Sequence, residues 1–571
     1  MLLALWLTPF TPAQTATATE QASALYRRGV EAWQKGDLTR ARSDFEQSVR
    51  ANPRSADSQN ALGQLLLQQG DTAGAITHLR AVTRLKPNLA VGHAYLAQAL
   101  SADGKLGEAE SESRLAVKLA PKQADAHAAL ARVLSLEQKQ QDATAEMRKA
   151  VELDPANPQL QDELGSLLAQ QAQYTDAEEH FRAALAANSQ YEPALLHLGV
   201  AELTTGNERD ARSDLEQAVA ADPNDGKAQY YLGSALEKVG DVPAALAAYR
   251  RASELEPNLL PLQQRLGILS QRAGDTTGAI AAFRRVVVVQ PNDPEAHSNL
   301  GLALMQAVQV DEAIREFQVA IRLAPTDSSY RNNLGAAYLQ KSDFDGAIQQ
   351  YQDGLAITPD NPELHYNLGL AYKLKDDFPD AIAELHKTIA LDPKMPDPHY
   401  TLGVTLWQSG KFEDAAKQLN DVVHLKPDYA EAYYTLGTVY KQDGKLPQAD
   451  QALREAIRLQ RDFAGAHTTL AAVLREQGDS AGAAAEAKLG AQITKEKMSL
   501  QAATFDTNSG TKMMNAGDLD GAIAQFESAI RNDGSYAPAH QQLATALDRK
   551  GDKARAKKEF ETAKQLSPQS Q

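Results

Sequence analysis

Residues 294–327 read PEAHSNLGLALMQAVQVDEAIREFQVAIRLAPTD, and residues 328–361 read SSYRNNLGAAYLQKSDFDGAIQQYQDGLAITPDN. The second segment restates the first at an offset of 34 residues. Leu300-Gly301 returns as Leu334-Gly335, Ala313 as Ala347, Phe317 as Tyr351 and Pro325 as Pro359. A fixed period of this length marks a stack of hairpins, each too small to bury its apolar face alone. Outward from this pair, fourteen repeats run in register over 22–497. Five residues, 498–502, then intervene, and two further repeats occupy 503–570.

The repeated positions have physical reasons. The eighth is Gly or Ala in all sixteen repeats and the twentieth is Ala in all sixteen, from Ala41 to Ala556. Residues without bulk let two helix backbones approach closely. The seventh is Leu except at Arg28 and Ser509, and with the twenty-fourth it supplies the larger apolar filling. Leu300, Leu304, Ile314, Phe317 and Ile321 fall at helical spacing within their two halves of the repeat. Pairs such as Gly36-Asp37, Gly240-Asp241 and Gly517-Asp518 end one helix and cap the next, because Gly adopts the left-handed conformation and Asp accepts free helix N–H groups. A Pro at the thirty-second position, as at Pro53 and Pro291, closes the second helix.

Leu-Gly, then Ala, then an aromatic, then Pro resembles the tetratricopeptide repeat. The resemblance covers 22–497 and 503–570. It implies an all-α fold: an α-solenoid, a right-handed superhelix of about sixteen 34-residue helix-turn-helix repeats. It also implies a concave groove lined by the first helix of each pair.

Composition excludes several classes. The 571 residues are 43% apolar and contain no Cys, so disulfide frameworks, thiolate metal sites and cysteine nucleophiles are absent. No apolar run reaches the length of a membrane-spanning helix. The formal charge of −16 opposes attraction to nucleic acid or an anionic membrane.

Two boundaries stand out. Residues 1–21 hold a short apolar run, Leu2 to Leu7, then Pro9, Pro12 and an Ala/Thr stretch with small residues at Ala13 and Ala16 to Ala18. They read as a possible, truncated signal peptide, which would place the protein in the periplasm or outside the cell. No Lys or Arg precedes the apolar run, so an unprocessed tail on a cytoplasmic protein stands as the alternative. Around 498–502, from Ala481 to Asp506, no Pro interrupts the chain. Either an extended helix joins repeats 14 and 15, or a slightly long repeat stacks normally.

Catalytic chemistry finds no footing. Seven of the twelve His recur at the fourth position: His93, His127, His297, His365, His399, His467 and His540. A side chain that recurs with the period serves the repeat. Gly-Lys pairs such as Gly104-Lys105 and Gly410-Lys411 lack the following Ser or Thr of a phosphate loop. The expectation is no catalytic residue, no metal and no cofactor.

The family groove is built largely from the second, fifth, sixth, ninth, twelfth and thirteenth positions. The sixth is Asn299, Asn333 and Asn367 in successive repeats, then Thr401 and Thr435. This run resembles the asparagine ladder in the repeat superhelix of O-linked N-acetylglucosamine transferases, whose catalytic half is not represented. An amide carries both donor and acceptor, so such a ladder can bracket a peptide backbone. Tyr366, Tyr400 and Tyr434 stand at the fifth position, and Glu363, Asp397 and Glu431 at the second. Together they form the expected groove for an extended, neutral or basic peptide segment. The alternative is that these Tyr pack against the next repeat and the acids complement helix dipoles. A clamp for chaperone C-termini is excluded, since Pro261 stands where its Lys belongs beside Arg265.

The functional expectation is a noncatalytic protein-interaction scaffold, part of an envelope or secretion-type assembly. The alternative is a regulatory or substrate-presenting subunit of a separate enzyme such as a glycosyltransferase.

Overall fold

The computed structural model describes residues 12–567. The apolar run Leu2 to Leu7 lies outside the described residues, while residues 12–21 belong to the first helix, Pro12–Gln34. The chain forms two compact halves, Met1–Pro291 and Asn292–Gln571. Each half is an α-solenoid of helical hairpins, with no strand among the described residues. No described helix is long and apolar enough to cross a membrane.

In a typical repeat, helix A takes the first thirteen positions and helix B begins at the seventeenth, as in Pro294–Gln306 and Val310–Leu323. In repeats 5, 7, 9, 10 and 11 an Asp or Asn caps helix A; Asn361 accepts from Glu363 and Leu364 N–H, with Pro362 at the first position. Between the helices the fifteenth residue is left-handed in every repeat. It is Gly in eleven and Gln138, Ala172, Val308, Ser342 or Asp376 in the rest. The next residue caps helix B where it is Asp, as Asp71 does for Gly74 N–H.

Helix A and helix B meet through a size rule. The twentieth-position Ala is buried throughout, at no more than 2% exposure. Gly at the eighth position faces a ring or Leu at the twenty-fourth. A Cβ on Gly301 would lie 2.6 Å from Phe317 Cε1, and one on Gly63 would lie 2.6 Å from Leu79 Cγ. Where the eighth residue is Ala, the twenty-fourth is Ser113, Met147, Ala487 or the half-exposed Phe560. A buried ring or Leu contributes about 1.5–3 kcal/mol, so the missing Cβ makes room for a substantial stabilising term.

Successive repeats are tied by a recurring brace. His93 Nε2 lies 2.9 Å from the Pro87 carbonyl of the preceding repeat, and its Nδ1 lies 2.5 Å from Glu112 of its own helix B. His127, His365, His467 and His540 repeat this with Glu146, Glu384, Glu486 and Glu559, and His399 does so with Gln418. All seven fourth-position His are buried.

One junction differs. Residues 498–502 lie inside a single 36-residue helix, Ser480–Asn515, which serves as helix B of repeat 14 and helix A of repeat 15.

Candidate functional site

The expected groove residues lie on helix A of repeats 9–13, all in the C-terminal half. A residue at the fifth position of one helix A lies beside the sixth position of the next. Asn333 Nδ2 donates to Ser298 Oγ at 3.2 Å, and Asn367 Nδ2 donates to Asn332 Oδ1 at 2.8 Å. The Tyr366 hydroxyl lies 3.3 Å from Thr401 Oγ1, and the Tyr400 hydroxyl 3.2 Å from Thr435 Oγ1. Thr401 and Thr435 are buried beneath these phenols, whereas Asn299, Asn333, Asn367, Tyr366, Tyr400 and Tyr434 are half-buried.

One carboxylate orients part of this row. Glu363 accepts from Asn332 Nδ2 at 2.9 Å. An ionised carboxylate can only accept, so Asn332 presents its amide nitrogen there and its oxygen to Asn367. One Asn367 N–H is thereby engaged, leaving its second N–H and its carbonyl oxygen to meet the carbonyl and N–H of an incoming backbone.

Aromatic rings and acids surround the row. The Tyr400 and Tyr429 rings pack at a tilt with centroids 5.4 Å apart, and so do Tyr434 and Phe463 at 4.8 Å. Lys426 Nζ sits 4.7 Å from the Tyr429 ring centre. Burial pushes the Tyr429 phenol up, and Tyr400, Glu431 and Asp397 push it further. Glu363, Asp397 and Glu431 are exposed to solvent. On the same helix faces, Trp407 Nε1 donates to Gln442 at 2.6 Å, and burial holds the Lys373 ammonium below its ordinary value.

Sequence reasoning missed Asn332, Tyr429, Phe463, Trp407 and Lys373. Trp407 and Lys373 occupy the twelfth position, already among the groove positions, and could have been found there. Tyr429 and Phe463 precede their helices, where the groove pattern assigns nothing.

It also missed a second concavity on the same positions in the N-terminal half. A cavity of about 510 Å³ is lined by Tyr26, Val30, Trp33, Asp57, Asn60 and Gln64. Asn60 Oδ1 is buried there without a hydrogen-bond partner. Trp33 Nε1 donates to Gln68 at 3.0 Å. The signal was present at the fifth and twelfth positions.

Outside these faces, the most perturbed acid is Glu202, buried between repeats 5 and 6. Arg182 donates to Glu202 Oε1 at 2.7 Å and to Glu178 Oε2 at 2.9 Å. Burial outweighs Arg182 and pushes the Glu202 carboxyl up to about 7. Among the described residues, no group of three or more His, Asp or Glu could hold a metal ion.

A tetratricopeptide-repeat family model matches residues 26–90, 163–208, 198–258 and 513–570. A model of the C-terminal domain of cilia and flagella-associated protein 70 matches residues 272–505. No curated protein matches the chain. Among solved structures, MamA is 29% identical, covering 29% of this chain and 96% of its own, with a TM-score of 0.28. YrrB, described as a TPR protein with an unusual peptide-binding site, is 22% identical over 32% of this chain and 95% of its own, with a TM-score of 0.29. PilF of Pseudomonas aeruginosa is 21% identical over 36% and 92%, with a TM-score of 0.34.

Proposed function

The chain is a tetratricopeptide-repeat protein built for protein interaction, and from that premise we propose that it is a noncatalytic scaffold. It grips extended peptide segments on the helix A face of repeats 9–13. The observation that carries this reading is the row of side chains bonded to one another from repeat to repeat: Asn333 to Ser298, Asn367 to Asn332, Tyr366 to Thr401 and Tyr400 to Thr435.

Groups already held in place lose little conformational freedom when a ligand arrives. The row offers amide oxygens and phenol faces, and exposed Glu363, Asp397 and Glu431 flank it at the repeat spacing. Carboxylates so placed favour neutral or basic segments, and rings paired as Tyr400–Tyr429 and Tyr434–Phe463 supply apolar contact with polar tips. A segment bound this way would be held along its backbone, as suits a subunit that organises an assembly, such as an envelope or secretion-type machine.

The test is retention of an array of extended peptides by the wild-type chain and by the triple variant Asn299→Ala, Asn333→Ala, Asn367→Ala. The wild type should retain neutral and basic peptides over acidic ones. The variant should keep its helicity and lose them. Equal retention by both chains would remove this face from the function.

A further inference from the structure

The long helix Ser480–Asn515 leaves bare two surfaces that the other junctions within each half cover. At an ordinary junction, the twenty-seventh residue of one helix B meets the third residue of the next helix A. Ser48 Oγ lies 2.8 Å from Ser58 Oγ, a Cβ on Gly92 would lie 2.9 Å from Val82, and one on Gly354 would lie 3.1 Å from Leu364. At repeats 14 and 15 the corresponding residues are Gly490 and Phe505. They sit on one continuous helix and cannot meet within the chain.

The consequences are visible in exposure. Phe505 is 71% exposed, although the third position is buried or half-buried in repeats 2–14 and 16. Ala487, at the twenty-fourth position, is half-exposed, against at most 2% at that position in repeats 1–13. Ser509 takes the place of the usual buried Leu. Met498, in the inserted segment, is 66% exposed. The third and seventh positions of repeat 1 and the twenty-eighth of repeat 16 carry small or charged residues, while Phe560 of repeat 16, 38% exposed, stands where Ala487 does in repeat 14. Ala24 in repeat 1 stands where Phe505 does in repeat 15, with Arg28 four residues on, and Lys564 in repeat 16 stands where Ala491 does in repeat 14. The bare faces of the long helix carry a ring and a thioether instead.

These residues form one stripe. Ala487, Ala491, Thr494, Met498, Ala502 and Phe505 follow one another at steps of three or four, so they share a helix face. The stripe borders a cavity of about 640 Å³, to which all of these residues but Phe505 contribute, together with Lys495, Ser499, Thr468 and Asn532. Its sizes are self-complementary about Met498. Reversing the helix there sets Phe505 against Ala491, Ala502 against Thr494, and Met498 against itself.

We propose that two copies of this chain pair through this stripe. The two long helices lie antiparallel with Met498 at the two-fold axis, and Phe505 of each copy covers the exposed Ala491 of the other. Each copy then supplies the helix A face that repeat 14 of its partner lacks. This is the same antiparallel B-to-A packing that joins neighbouring repeats elsewhere. An interface of this kind is isologous and closes at two subunits.

The absence of Cys makes the test direct. Light scattering on the full chain should give twice the chain mass, and Phe505→Asp should give the single chain mass with unchanged helicity. Met498→Cys alone should cross-link to itself with a short bifunctional maleimide. Ala491→Cys mixed with Phe505→Cys should cross-link, while neither should when alone. A monomeric wild type overturns the proposal, whatever other protein the stripe then binds. So does a dimer that survives Phe505→Asp. So does a cross-link within one chain carrying both cysteines, since it would show that the helix breaks and repeat 15 folds back onto repeat 14.

Discussion

Gln59 Oε1 and His78 Nδ1 lie 2.7 Å apart, and this pair is His93 and Glu112 with the roles exchanged between helices. In both repeats the fourth-position side chain also meets the carbonyl of the preceding Pro, Pro53 or Pro87. Repeat 5 uses the Gln59 arrangement, with Gln161 and His180. The requirement is therefore a bridge from helix B to the previous repeat, and His with Glu, His with Gln, and Gln with His all satisfy it.

That equivalence is testable in repeat 3. His93→Leu should cost about 1–3 kcal/mol, because it strands a buried carbonyl and Glu112. His93→Gln with Glu112→His should recover most of the loss. Urea midpoints of the three chains decide the matter, and a double variant no better than His93→Leu would remove the bridge.

Position 335 should resist any added carbon. A Cβ on Gly335 would press into the buried Tyr351 ring. Gly335→Ala should destabilise the stack, and Gly335→Leu more so, within the range of about 1–3 kcal/mol typical of overpacking. The same urea titration measures both.

Val308 should improve when replaced. It holds a φ of 60°, where Gly stands in eleven other repeats, and it is largely exposed. A left-handed β-branched residue costs about 1–2 kcal/mol. Val308→Gly should therefore raise the midpoint, even after the greater freedom Gly has when unfolded.

Buried Glu202 and half-buried His78 predict opposite pH dependence. Glu202 is raised in the folded chain to about 7 from 4.5, chiefly by burial. Its stabilising contribution is complete below 4.5 and is lost as pH rises through about 7. Glu202→Gln should consequently gain on the wild type between about pH 5 and about pH 8. His78 is lowered from 6.5 by burial, against Glu46 and Asp71. Its contribution is present above 6.5 and is lost as pH falls through the lower folded value. His78→Gln should lessen the loss of stability on acidification. Urea midpoints across the pH range read both slopes.

The hairpins were legible because their causes are local and recur. Gly301 facing Phe317, the Asp71 cap and the left-handed turn each depend on residues within one repeat, and sixteen copies make the pattern plain. The row Asn299, Asn333, Asn367 was legible as a spacing, and so were the Tyr and acid positions beside it.

The bonds between those residues were not. Asn367 meets Asn332, and Tyr366 meets Thr401, at a separation of 35 residues. That separation follows from how far each repeat turns against the next, which no single period states. Whether Asn60 borders a cavity and whether Phe505 stands bare also rest on what the neighbouring helix does. The sequence by itself determined the hairpin, its period and its small-to-large contacts, since these are settled by steric fit within 34 residues. Only the tertiary structure decided which polar groups are already engaged and which apolar faces lack a cover, because both depend on side chains that meet only after separate repeats have stacked.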